Sequence, residues 1–89
     1  RKFFFVKELL EEFGHKLPFP HAKYIGNDVF ELRFRGQEGH IRVLYFFYHQ
    51  DRVIFTNGFI KKTGKTPKNE IEIAIERRSK YLSKTKGDD

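Results

Sequence analysis

Two neighbouring segments in the middle of the chain restrict its fold most strongly. Residues 29–35 alternate strictly between apolar side chains and charged ones, which is the period of a strand with one face buried. Residues 41–48 are almost entirely apolar or aromatic, and only Arg42 interrupts them. The connection between the two segments, 36–39, is too short for a crossover, so the strands must be antiparallel. The sequence therefore predicts a hairpin whose second strand is covered on both faces and lies centrally.

The remaining segments predict helices at both ends of the chain. A helix is expected over 2–14, ended by Gly14. Its apolar positions are Phe3, Val6, Leu10 and Phe13. Residues 21–25 form an extended lead-in, 53–60 form a third strand, and a last helix starts with Thr66 as N-cap and Pro67 in its first turn. We expect 83–89 to be a frayed tail. Residues 1–89 are thus one α+β domain: an N-terminal helix, an antiparallel sheet of three or four strands and a C-terminal helix.

The apolar pattern also selects a register class for the hairpin. If the numbers of paired residues add to an odd value, the apolar residues of both strands share one face; if they add to an even value, each face is mixed. We expect the odd class, with Arg35 opposite Arg42 and Arg33 opposite Leu44. The core face then holds Phe30, Leu32, Phe34, Ile41, Val43, Tyr45 and Phe47, and the other face holds Glu31, Arg33, Arg35, Arg42, Leu44, Phe46 and Tyr48. Like charges directly opposite each other are destabilising. A row of arginines on one face therefore needs an explanation, and it indicates an anionic ligand.

The charge balance restricts the class of partner. Eighteen Lys and Arg residues against twelve Asp and Glu give a net charge of +6 and a pI near 9.7. This balance favours a polyanion, above all nucleic acid, although a solvated basic surface is the alternative. The chain has no cysteine, which favours the reducing cytoplasm. We expect no metal or cofactor, because the four histidines lack metal-ligand spacing, and no membrane association, because no apolar run could span a bilayer.

The segment after the third strand carries the candidate chemistry. Cleavage of RNA without a metal needs a base for the ribose 2′-hydroxyl, cations for the charged phosphorane and an acid for the leaving oxygen. A lysine crowded by other cations has a lowered pKa and can transfer protons; the alternative is a loop that only holds phosphate. The predicted catalytic residues are Arg33, Arg42, Lys61 and Lys62, and the predicted RNA contacts are Arg35, Lys65, Phe46 and Tyr48.

Several candidates have alternatives. Phe46 and Tyr48 could stack on bases, or they could be core residues under a helix. Tyr45 and Tyr48 are weaker candidates for proton transfer, and Tyr45 falls on the core face. His40 or His49 would serve only if it lies beside the basic face.

Four segments together resemble the phage-derived branch of the RelE/HigB toxin superfamily. They are Phe30-Glu31-Leu32-Arg33, Ile41-Arg42-Val43-Leu44-Tyr45-Phe46, Gly58 to Pro67, and Glu70-Ile71 with Ala74. The resemblance runs from about Phe4 to Tyr81, and Lys61 to Pro67 is its most specific part. It implies a RelE-like fold and a ribosome-dependent mRNA interferase, which cuts the message in the ribosomal A site through attack by a 2′-hydroxyl. It further implies a cognate antitoxin with a helix-turn-helix DNA-binding domain.

The resemblance also implies where the site lies. Family members place functional basic residues on the open sheet face, matched by Arg33 and Arg42, and after the last strand, matched by Lys61, Lys62 and Lys65. They usually begin with a β-strand before the helices, and this chain starts inside the helical region, so such a strand would lie before its first residue. A non-catalytic RNA- or ribosome-binding module, and a regulatory module that binds an antitoxin, remain alternatives.

Overall fold

The computed structural model describes residues 2–18, 20–49, 52–62 and 64–85 as two helices flanking one sheet. The elements are α1 (Lys2–Phe13), a 3-10 turn (Gly14–Lys16), β1 (Ala22–Gly26), β2 (Val29–Gly36), β3 (Gly39–Tyr48), β4 (Arg52–Lys61) and α2 (Lys68–Thr85). The four strands pair antiparallel in the order β1-β2-β3-β4. The α+β class is therefore confirmed, and β3 has a neighbour on each side, as its apolar sequence predicted.

The fourth strand of the sheet is β1, which forms within the segment predicted to be an extended lead-in. The initial strand that the family resemblance implies would precede the first residue of this chain and stays a prediction. Asn27 and Asp28 connect β1 to β2, and both have positive φ, 54° and 63°. Two such residues make a turn whose twist matches that of paired strands, so the lead-in forms a tight hairpin with β2.

The register of the β2–β3 hairpin has the predicted parity but a different pairing. Arg33 lies opposite Arg42, and Arg35 lies opposite His40, so the expected pairs of Arg35 with Arg42 and Arg33 with Leu44 are wrong. The cause is a shorter connection than expected. Gly36 pairs with Gly39, whose φ of 128° favours glycine, and this leaves only two residues in the turn.

The core face of the sheet packs against α1. Val6 and Leu10 of the helix are buried there against Leu32 and Tyr45 of the sheet. Aromatic rings fill the layer, and the ring of Phe30 stacks on that of Tyr45 with 5.5 Å between centroids. The α1 helix ends at Phe13, before Gly14 with a φ of 54°, as predicted.

The opposite face of the sheet is partly covered by α2. Val29, Leu44 and Ala74 are fully buried in this second cluster. Polar contacts also fix the helix on β4: the Asn57 side-chain amide donates to the Glu70 carbonyl at 3.2 Å and to its carboxylate at 2.9 Å. The predicted basic face therefore stays open only at the end away from this helix.

Both ends of α2 differ from the prediction. Thr66 is not its N-cap: the helix begins at Lys68, and the Pro67 carbonyl accepts the amides of Glu70 and Ile71. The hydroxyl of Thr66 bonds to the sheet instead. Residues 83–85, expected to fray, are helical up to Thr85, while 86–89 lie outside the described residues.

Burial of Tyr45 makes the stability of the fold sensitive to alkaline pH. The side chain is 1% exposed, and burial raises its pKa from 10.0 to about 12. Since the folded pKa is the higher one, the stabilisation is complete below pH 10 and is lost as the pH rises towards 12. Between pH 10 and pH 12 we expect the free energy of unfolding to decrease by about 2–3 kcal/mol less in Tyr45→Phe than in the unaltered protein. Urea unfolding across that range measures the difference. Tyr24→Phe, at an exposed tyrosine, is the control, and an equally steep loss in both variants would contradict the prediction.

Candidate functional site

A buried carboxylate organises the open end of the basic face. Glu31 of β2 is 1% exposed, and its Oε1 lies 3.5 Å from Arg33 Nε and 3.7 Å from Arg42 Nε. Its Oε2 accepts a hydrogen bond of 2.5 Å from the Thr66 hydroxyl. The carboxylate thus joins two sheet arginines to the segment that precedes α2.

Sequence reasoning placed Glu31 on this face but missed its role. The available signal was a single acid within a strand whose other charged residues are arginines. A carboxylate at such a position can neutralise only one of the two neighbouring guanidinium groups. The cluster therefore keeps an excess of positive charge, as a site for an anion requires.

Arg42 is the most deeply buried cation of the cluster. It is 6% exposed, and its Nη1 donates to the Ile41 carbonyl at 3.0 Å. Its Nε is buried and finds no hydrogen-bond acceptor within the described part of the chain. Burial, followed by the charge of Arg33, lowers the pKa of Arg42, and Glu31 opposes the shift. This Nε therefore contributes an ion pair with Glu31 at 3.7 Å but no hydrogen bond, and the group as a whole lines the basic face.

Lys61 completes the cluster from β4. It lies opposite His40 at the end of the strand. Its pKa is lowered by desolvation first and then by the positive charge of Arg42, with smaller effects from Arg33 and Lys23, while Glu31 opposes the shift. The expected crowding of a lysine by other cations is therefore found at this position. The effect of Lys23 on the pKa of Lys61 could not be predicted, because the segment of Lys23 was not expected to be a strand. In β1, Lys23 lies opposite Glu31.

An open groove of about 280 Å³ runs beside the cluster. It is lined by His40, Arg42, Lys61, Lys62 and Gly64, and no carboxylate is among these residues. Lys61 is held by its pairing within β4, and Thr66 is held by its hydrogen bond to Glu31. The arrangement can bind a phosphate and stabilise additional negative charge on it.

The other predicted site residues are distributed around this groove. Arg35 is exposed on β2 and lines a neighbouring cavity together with Arg33. Lys65 is exposed between Gly64 and Thr66 but is not among the residues that line the groove. The structure therefore brings Arg33, Arg42, Lys61 and Lys62 together and leaves Arg35 and Lys65 at the periphery.

The two aromatic candidates lie under α2. Phe46 is 1% exposed: its ring centroid is 5.7 Å from that of Tyr81, and the Arg78 guanidinium lies 5.8 Å from it. Tyr48 is half-buried, with 5.1 Å between its ring centroid and that of Tyr81. The expectation that a base stacks on Phe46 is corrected, because α2 occupies that position. Phe46 is therefore a core residue under a helix, whereas the RNA contact of the half-buried Tyr48 stays a prediction.

Two weaker candidates for proton transfer also lie away from the groove. Tyr45 is buried on the opposite face of the sheet, and His49 lies in the turn after β3. Among the residues that the structure describes, no three His, Asp or Glu side chains converge on a point where they could hold a metal ion. Neither described helix is long and apolar enough to cross a membrane.

Comparison with known proteins identifies relatives of this chain. A family model described as "Phage derived protein Gp49-like (DUF891)" matches residues 1–79. Two curated relatives, each described as "Probable endoribonuclease HigB1", come from Mycobacterium tuberculosis strains CDC 1551 / Oshkosh and ATCC 25618 / H37Rv, and both are 43% identical over 56 residues. That match covers 63% of this chain and 44% of each relative. No solved structure matches at a significant level.

These matches confirm the resemblance to the phage-derived branch of the RelE/HigB toxin superfamily. The endoribonuclease description belongs to the HigB1 relatives, which match this chain over 56 residues. The family model extends over most of the chain, including all four strands, the cluster around Glu31 and the first two thirds of α2. The chain therefore belongs to the phage-derived Gp49-like protein family.

Proposed function

We propose that this chain is the toxin of a toxin–antitoxin pair and cleaves messenger RNA in the ribosomal A site, in the cytoplasm. The observation that carries the proposal is the cluster of Arg33, Arg42 and Lys61 around one buried carboxylate, at the edge of an open basic groove. The endoribonuclease description of the HigB1 relatives supports RNA as the polyanion. The family resemblance supports a cognate antitoxin with a helix-turn-helix domain as the protein partner.

The reaction that fits the groove is transfer of phosphate within the RNA chain. The ribose 2′-oxygen forms a bond to phosphorus, and the bond from phosphorus to the 5′-oxygen breaks. The products are a 2′,3′-cyclic phosphate and a 5′-hydroxyl. The 2′-hydroxyl proton passes to the neutral amine of Lys61, and the 5′-oxygen takes a proton from water, for which the groove is open.

The arginines supply the electrostatic part of this mechanism. Negative charge develops on the phosphorane oxygens, and Arg42 lines the groove in which the phosphate would lie. Because the guanidinium group is already held by the sheet, it needs little reorganisation when that charge appears. Arg33 acts beside it, and Lys62, Arg35 and Lys65 hold flanking phosphates, where geometry is less demanding.

Removal of Arg42 tests the proposal directly. We expect Arg42→Ala to lower the cleavage rate about 100-fold or more, the effect of losing one preorganised donor to a developing charge. The measurement is mapping of RNA ends on translating ribosomes that carry a defined message. Arg52→Ala, which removes an exposed arginine at the far end of β4, is matched in charge and should cleave normally.

Two outcomes would count against the proposal. Intact messages on stalled ribosomes, with the unaltered protein bound, would identify a non-catalytic binding module. Normal cleavage by Arg42→Ala in a folded state, verified by circular dichroism, would place the chemistry elsewhere.

The lowered pKa of Lys61 predicts a pH dependence of the cleavage rate. The neutral amine is the active form, so the rate should rise with pH and level off below the ordinary lysine value of 10.5. Lys61→Arg keeps a positive charge in the groove but stays protonated throughout this range. We expect this variant to bind RNA and to cleave slowly, with a rate that no longer rises with pH, as measured in single-turnover reactions. An equal rise of the rate with pH in both proteins would show that another group takes the proton.

The ion-pair cluster predicts a large effect of Glu31 on stability. In Glu31→Gln the two arginines lose their shared countercharge while Arg42 remains buried. Breaking a buried ion pair from one side leaves an uncompensated charge, so we expect a loss of about 3 kcal/mol in urea unfolding. Glu76→Gln, at an exposed i,i+4 pair with Lys80, should cost less than about 1 kcal/mol. Equal effects of the two substitutions would contradict the central role of Glu31.

A further inference from the structure

A second cavity lies beside the groove, at the edge of the sheet where β1 no longer covers β2. The first pair of β1 joins Ala22 to Leu32, and the amide of Arg33 then donates to the His21 carbonyl at 2.8 Å. Beyond this point β2 continues to Gly36 without that neighbour. A cavity of about 330 Å³ opens between this part of β2 and the first half of α1.

The cavity has an apolar wall and a cationic rim. Phe5, Val6, Pro20 and Phe34 form the wall, and Arg33, Arg35 and Lys2 are among the cations of the rim. No carboxylate is among its lining residues. A ligand that suits both parts carries a flat apolar group and is attached to negative charge.

The cavity and the groove share two lining residues, His40 and Arg42. A phosphate held by Arg42 in the groove is therefore adjacent to whatever occupies the cavity. In single-stranded RNA, the group attached next to a phosphate through one ribose is a nucleobase. Single-stranded bases are commonly bound by stacking on aromatic rings and on arginine planes.

We propose that this cavity binds the nucleobase of a single-stranded RNA, next to the phosphate held in the groove. The inference rests on the proposed function and adds a base-binding site to it. Phe5 is the main stacking surface, since its side chain is 57% exposed and lines the cavity. Because every base has an aromatic face, binding of this kind discriminates weakly between sequences.

A hexanucleotide with and without bases tests the site. The probes are fluorescent hexauridylate and the same sugar–phosphate backbone with every base removed, measured by anisotropy at one ionic strength. Both probes carry the same phosphates, so the difference between their affinities reports contacts to the bases. We expect the unaltered protein to bind hexauridylate about tenfold more tightly than the abasic chain, a typical effect of stacking.

Two neighbouring phenylalanines supply a matched pair of variants. Phe5→Ala should remove most of that tenfold difference and leave the affinity for the abasic chain unchanged. Phe4→Ala removes an even more exposed ring, 65% against 57%, from the same helical turn, but Phe4 does not line the cavity. It should bind both probes normally. The high exposure of both rings means that neither substitution should impair folding, which thermal unfolding verifies.

The outcomes separate this inference from the proposed function. If the unaltered protein prefers hexauridylate and only Phe5→Ala abolishes the preference, the base-binding site is supported. If both probes bind equally well and Arg42→Ala weakens both, the groove binds RNA backbone and the base-binding site is wrong. If neither probe binds, the base-binding site is wrong, while the proposed function is decided separately by mapping of RNA ends on translating ribosomes.

Discussion

The rest of this structure depends on the contact between the Glu31 carboxylate and its three partners. The β2–β3 register places Arg33 directly opposite Arg42, and two guanidinium groups at that separation repel each other. Glu31 lies on the same face, two residues before Arg33, and its carboxylate faces both. The same carboxylate accepts a hydrogen bond from Thr66, so this residue ahead of α2 is fixed relative to the arginines. One buried acid therefore makes a cluster of cations compatible with the sheet and also determines its shape.

The docking of α2 determines how much of the basic face remains available. The helix packs on Val29 and Leu44 and covers Phe46, while the end of the sheet with Arg33, Arg42 and Lys61 stays outside it. Thr56 is the extra residue where the β3–β4 pairing shifts, and its carbonyl accepts a hydrogen bond of 2.6 Å from Arg77 of the helix. The bulge in β4 thus helps to position the helix that divides the face into a covered half and an open half.

Local pattern predicted more of the fold than of the site. The alternation in residues 30–35 was sufficient to predict which side chains share a face, because the other parity would have mixed charged and apolar side chains on both faces. The pairing itself depends on turn length. Because the turn is two residues shorter than expected, Arg42 lies opposite Arg33 instead of Arg35, while every side chain keeps its face. Thr66 shows the same limit: its sequence context is typical of an N-cap, but a buried carboxylate 35 positions away competes for the hydroxyl. Phe46 could not be assigned either, since only the docking of α2 decides its exposure.

The cluster is costly to the fold, and this cost is itself an argument for function. A buried ion pair often contributes less stability than well-packed apolar residues of the same volume would. Here two arginines share a single carboxylate, and the Nε donor of Arg42 has no hydrogen-bond acceptor among the described residues. Leu44 and Phe46, the next residues of β3 on the same face, show that this strand otherwise fills its positions with apolar side chains. The proposed function accounts for this cost, because a phosphate bound in the adjoining groove would add a second anion beside the guanidinium group of Arg42.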